Sequence, residues 1–232
     1  MFLKNACRII SMESTFTPIE RLRAMKALMA FMESSRFAEF RQETVSGCVD
    51  HLFETAPRDL IRELFDEPSM SQFMMANLAT EFDIDGEENL VHVFLKSPEV
   101  NELSTGSQNF LKLLADSYLR VVEVAEVEIG ESVVVDNLLM EESLTVHDAS
   151  AANSYEPGHL LAIRVTPDGP DRLHADSILP LPGTAEDIED LLDMLEEQVD
   201  KSIPEEENVA WITSALAHAL PSYIVAAAMA SD

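Results

Sequence analysis

Between positions 136 and 176 the chain places Asp136, Asp148 and Asp176 near His147, His159 and His174, with one arginine, Arg164, inside an otherwise apolar run. These residue types can build a metal site, a general acid–base pair or an anion site. Their spacing follows no ligand rule such as HExxH, so no metal is assigned. Arg164 interrupts Leu160-Leu161-Ala162-Ile163 before Val165, and a guanidinium in such a run needs a carboxylate or water. Asp136, Asp148 and Asp176 are the expected partners, and a structural ion pair is the simpler expectation than an anion site. The set that a dispersed binding site would use is Asp136, His147, His159, Arg164 and Asp176; no residue is assigned a catalytic role.

Other chemistry-bearing patterns fall short of their requirements. Asp83-Ile-Asp85-Gly86-Glu87-Glu88 lacks the third early oxygen ligand and the later bidentate Glu of a calcium loop, and reads as an acidic turn. There is no GxSxG, no phosphate-binding loop and no GxGxxG, because the seven glycines stand singly. Cys48, among Val45, Val49 and Leu52, reads as a buried thiol. Cys7 and Cys48 form no CxxC pair, so neither a disulfide scaffold nor a cysteine zinc site is expected. No cofactor is implied.

The elements that must position these residues follow from periodicity. Thr17-Pro18-Ile19-Glu20 matches a capping box, and Leu22, Met25, Met29 and Met32 then predict one apolar helix face with Arg23 and Lys26 opposite. Further helices are expected from about 35 to 52, from Pro57 to Phe65, over 69–80 and 88–96, and from 105 to 116. The methionine clusters read as core. At Tyr118 the period changes to near alternation, and five short strands separated by turns follow up to Pro182. A small five-stranded antiparallel barrel or rolled sheet satisfies them, since closure leaves no edge exposed. The expected class is α+β, with a helical region over 1–116, a β-module over 117–182 and C-terminal helices over 183–232.

Charge narrows the function classes. Of 43 acidic and 15 basic residues, net charge −28, residues 1–62 hold eight acids and nine bases, so nearly all the imbalance lies in the remaining 170 residues. A field of that sign repels phosphate backbones. Nucleic-acid binding is confined to a basic face on the N-terminal helices, Arg23, Lys26, Arg36 and Arg41. The N-terminus lacks the apolar run of a secretory signal, which points to the cytoplasm. Val209 to Ala230 contains no Asp, Glu, Lys or Arg, yet Pro221 and acidic flanks suit a buried or interface helix better than a membrane anchor.

Asp136-Asn-Leu-Leu139 with Glu141-Glu142 and Val146, then Tyr155-Glu-Pro-Gly158-His-Leu-Leu-Ala-Ile-Arg164-Val165, then Ile178-Leu-Pro-Leu-Pro182, resembles the β-region of uncharacterised bacterial proteins that often carry a SecA C-terminal type zinc motif. The resemblance covers about residues 78–195. This chain lacks the cysteine cluster, so zinc does not transfer, and the resemblance implies no activity. The expected function is therefore a non-enzymatic cytoplasmic adaptor whose acidic surface meets a protein partner with a basic surface, or a homo-oligomer. Two other readings stand beside it: an enzyme or small-ligand-binding protein with a dispersed site, and nucleic-acid binding through the basic helices.

Overall fold

The computed structural model describes residues 16–84, 88–140, 142–168, 172–199 and 205–231. Helix α1 (Pro18–Glu33) starts at the expected capping box, with the Thr17 hydroxyl accepting from the Glu20 amide and the Glu20 carboxylate accepting from the Thr17 amide. Its buried face is Ala24, Leu28, Phe31 and Met32, while Leu22 is 56% exposed, which corrects the predicted stripe. Small and apolar residues surround this helix, so periodicity alone left its rotation undecided.

A 3-10 turn (Ser35–Phe37) leads to α2 (Ala38–Val49), α3 (Leu52–Thr55), α4 (Arg58–Asp66) and α5 (Pro68–Thr80). The expected acidic turn at 85–87 lies outside the described residues; on either side of it β1 (Asp83–Ile84) and β2 (Glu88–Asn89) form a short antiparallel pair, where a helix from 88 was expected. Asn89 explains the shift. Its side-chain oxygen accepts from the His92 amide at 3.0 Å, capping α6 (Leu90–Leu95) one residue after the pair ends. Helix α7 (Thr105–Ala115) follows, capped by Ser104.

Strands β3 (Leu119–Glu128), β4 (Ser132–Asn137), β5 (Glu142–Val146), β6 (Leu160–Pro167) and β7 (Leu173–Leu181) form a closed barrel in the order β3-β4-β5-β7-β6. The fold is thus α+β with a five-stranded barrel. Four seams are antiparallel; the closing one, β5 against β7, is parallel, and there the barrel departs from the all-antiparallel expectation. The short helix α8 (Ala149–Ser154), unpredicted, fills the β5–β6 connection because the Asp148 carboxylate accepts from the Ser150 and Ala151 amides at 2.8 and 3.0 Å.

The barrel has two distinct surfaces. Val122, Val124, Val133, Val135, Leu144, Val146, Leu161, Ile163, Val165, Leu173 and Ala175 pack together inside it. The alternate residues Leu119, Val121, Leu160, Ala162, Leu179 and Leu181 face outward and join the core of the helices. That alternation explains why β6 is buried along both faces. Helix α7 packs on β6, α5 on β7, and α10 (Glu205–Ser231) on β3, α2 and α4. Between β7 and α10 in the chain comes α9 (Ala185–Glu196), which packs on α10 and starts at its own capping box of Thr184 and Asp187.

Helix α10 runs through Pro221 and buries Val209, Ile212, Leu216, Ala217, Leu220, Ile224 and Val225 at three and four residue spacing. Its stretch Trp211–Ala230 has the length and hydropathy to cross a membrane, and 44% of that window is buried against the rest of the chain. If this packing holds α10 to the core, Leu220→Ala will lower stability by about 2–5 kcal/mol through a cavity. Trp211→Ala, on the exposed side, will cost under about 1 kcal/mol. Urea midpoints of both variants check the contrast.

Candidate functional site

The most deeply buried charge in the described residues is Arg164, with no exposed surface. It points outward from β6 into the layer between barrel and helices. Its Nη2 donates to the Glu81 carboxylate at the C-terminal end of α5. Its Nη1 donates to the Ser117 carbonyl at 2.6 Å and to the Ser117 hydroxyl at 3.0 Å. Glu81 also accepts from the Leu119 amide at 3.3 Å, and Leu119 is the residue that pairs with Arg164 across the β3–β6 seam. One ion pair therefore joins α5, the α7–β3 connection and β6. The expected partners Asp136, Asp148 and Asp176 are corrected to Glu81, because residue 164 faces the helices.

Asp176 nonetheless lies close by. The register shift between β6 and β7 pairs Arg164 with Ser177 and Val165 with Ala175, which leaves Asp176 as the extra residue of a β-bulge. The bulge turns Asp176 to the same outer side as Arg164 and Thr166. Its Oδ2 is sealed from solvent, although part of the residue remains exposed. Burial pushes its carboxyl up to about 6, against opposing influence from the Thr166 hydroxyl, Arg21 and Arg164. Nearby in the same interface are Asn77, on α5 one turn before Glu81, and Ser177; the side chains of both are buried with no hydrogen-bond partner among the described residues, as is Arg164 Nε.

The remaining members of the predicted set go elsewhere. Asp136 is exposed on β4, opposite Glu123 on β3, and accepts from the Ser143 hydroxyl. His159 is exposed before β6, its Nδ1 accepting from the Glu156 amide at 3.1 Å. His147 follows β5, and its carbonyl lies 3.3 Å from Nδ1 of His174 on β7. The chain brings Arg164 and Asp176 together and gives His147 a neighbour in His174. The five do not converge inside the barrel, whose interior is apolar. Among the described residues, no group of three or more His, Cys, Asp or Glu is placed to hold a metal.

Sequence reasoning passed over a second buried arginine. Arg120, 5% exposed, stacks on the Tyr118 ring at 3.7 Å and lies 3.7 Å from the Glu142 carboxylate. It lines a cleft between β3, β4 and α10, with Asn137, Met140 and Thr213, whose volume of about 10 Å³ admits roughly one water. The signal lies in Tyr118-Leu-Arg120 at the head of a strand, where an arginine falls beside an aromatic ring.

The basic residues of the N-terminal helices are spent differently. Arg41 donates to the carbonyls of Met32 and Ser34, closing the end of α1. Arg36 stacks on Phe37 at 4.9 Å. Arg23 and Lys26 are exposed on α1. Cys48 is buried and its thiol is pushed up to about 11 by that burial, so it stays protonated at neutral pH.

Comparisons with protein-family models, curated proteins and solved structures gave no match.

Two outcomes test the seam. Arg164→Met alone will destabilise the fold by about 3–5 kcal/mol, because Glu81 is left buried and unpaired. Adding Glu81→Leu will restore most of that loss, and chemical denaturation of the two singles and the double gives the coupling. For Asp176 the folded carboxyl titrates near 6 against an ordinary 3.8. Its ionisation therefore opposes folding: the penalty is absent below pH 3.8, grows as pH rises, and is complete above 6. Asp176→Asn will stabilise the protein at pH 7 by up to about 3 kcal/mol, and the gain will vanish near pH 4.

Proposed function

We propose that this chain is a non-enzymatic cytoplasmic interaction protein whose acidic surface docks a protein partner bearing a basic surface. The observation that carries the reading is where the positive charges go. Residues 63–232 contain only six Lys and Arg against 35 Asp and Glu. Arg164 and Arg120 are withdrawn into the interior, and Lys96 pairs with Glu88. Burying cations inside an acidic protein leaves its solvent face more negative than the composition states.

Two surfaces gather exposed acids closely together. Helix α9 carries Glu186, Asp187, Glu189, Asp190 and Asp193 around a buried stripe of Ile188, Leu192 and Leu195. On the barrel, Glu126, Glu128, Glu131 and Asp136 are exposed, with Ile129 82% exposed at the β3–β4 turn. Glu123 directly opposes Asp136 across the seam, a like-charge pair that weakens the sheet. A basic partner would relieve that repulsion and be drawn in by the field.

An immobilised Lys- and Arg-rich peptide will retain the full chain at low salt. Retention will fall between about 0.01 M and 1 M salt, as the screening length drops from roughly 30 to 3 Å. Neutralising Glu186, Asp190 and Asp193 in one variant, and Glu126, Glu128 and Asp136 in another, shows which surface does the binding. A chain that is monomeric by sedimentation and is not retained at the lowest salt removes the proposal.

A further inference from the structure

The barrel closes unevenly. Its β6–β7 seam pairs eight residues, while β5 and β7 meet at the single pair Val146 and Leu173. One backbone bond extends that contact, from the His147 amide to the Leu173 carbonyl at 2.7 Å. Beside it lies the His174 imidazole, half-buried, with Nδ1 at 3.3 Å from the His147 carbonyl and Nε2 at 3.8 Å from Asp148 Oδ2.

We propose that this parallel seam is an acid-sensitive latch: His174, set between the His147 carbonyl and the Asp148 carboxylate, holds the barrel shut while neutral and loosens it on gaining a proton. To bond a carbonyl, Nδ1 carries the hydrogen, so Nε2 is the atom that takes up a proton. The carboxylate set against it is partly committed, because Asp148 Oδ1 accepts two amides at the start of α8, and Oδ2 stands 3.8 Å from Nε2, beyond hydrogen-bond reach. The charged imidazole therefore gains little here and loses its water.

The groups around His174 set the sign. Burial and Arg21 of α1 lower its affinity for a proton; the His147 carbonyl, Asp148 and Asp168 after β6 raise it, and the lowering prevails. On β7 itself, Asp176 titrates in the opposite sense. An open seam gives His174 back to solvent and binds the proton more tightly than the closed one. As pH falls through the histidine range, opening is favoured, and it uncovers the edges of β5 and β7 beside Val146 and Leu173.

The test is amide hydrogen exchange of the full chain from about pH 8 to 5, corrected for intrinsic exchange. Asp176→Asn serves as background, so that the carboxyl does not offset the histidine. Protection of the His147 amide will fall several-fold on acidification, while the Val124 amide, bonded to the His159 carbonyl at 2.9 Å, keeps its protection. Adding His174→Gln will abolish the pH response. Adding Asp148→Asn, which preserves the cap, will enlarge it, and adding Arg21→Gln will shrink it. Constant protection, equal loss at Val124, or a loss that survives His174→Gln overturns the latch. Should His174→Gln fail to fold, the Asp148 and Arg21 variants decide, because an unchanged response in both also overturns it.

Discussion

The Glu81–Arg164 pair is the constraint on which the packing of this protein turns. A guanidinium with no exposed surface is tolerable only if its charge is met at short range, and here one carboxylate and one serine meet it. The carboxylate comes from the end of α5 and the serine from the step between α7 and β3. Both must be in position before β6 can lie against the helices. The pair therefore sets register between layers more than it adds stability, since an apolar substitute of similar volume fills such a site equally well.

The rest of the architecture follows from that docking. Strand β6 is buried on both faces because one face lines the barrel and the other meets α7. Helix α10 completes the layer over β3, so helices drawn from both ends of the chain share a core with one side of the barrel. The other side, around β4 and β5, stays in water and carries the like-charge pair Glu123 and Asp136. Acidity and solvent exposure thus coincide on the part of the barrel away from α5, α7 and α10.

The barrel strands were legible because their alternation against Glu123, Glu126 and Glu128 is strong and their turns are marked by glycine and proline. Arg164 stood out for the same reason, as a charge in an apolar strand. Its partner was not legible, since Glu81 lies 83 positions away and nothing in Thr80-Glu81-Phe82 distinguishes that carboxylate from its neighbours. The position of Asp176 depends on a bulge, which slips the side-chain alternation by one residue and leaves no composition signal. Helix α8 hung on one aspartate acting as a cap. The rotation of α1 was hidden because its apolar residues nearly encircle it.

Helix α10 has a consequence beyond the folded state. Its exposed side is almost as apolar as its buried one, and the folded chain tolerates this because only half of it meets water. In a chain that has not yet folded, or has been denatured, both sides are free. Such a molecule carries a segment of bilayer length, so its competing fates include lipid partition and capture by machinery that recognises apolar helices. The packing of α10 on β3 and α2 is what keeps a segment of bilayer length from presenting both of its sides at once.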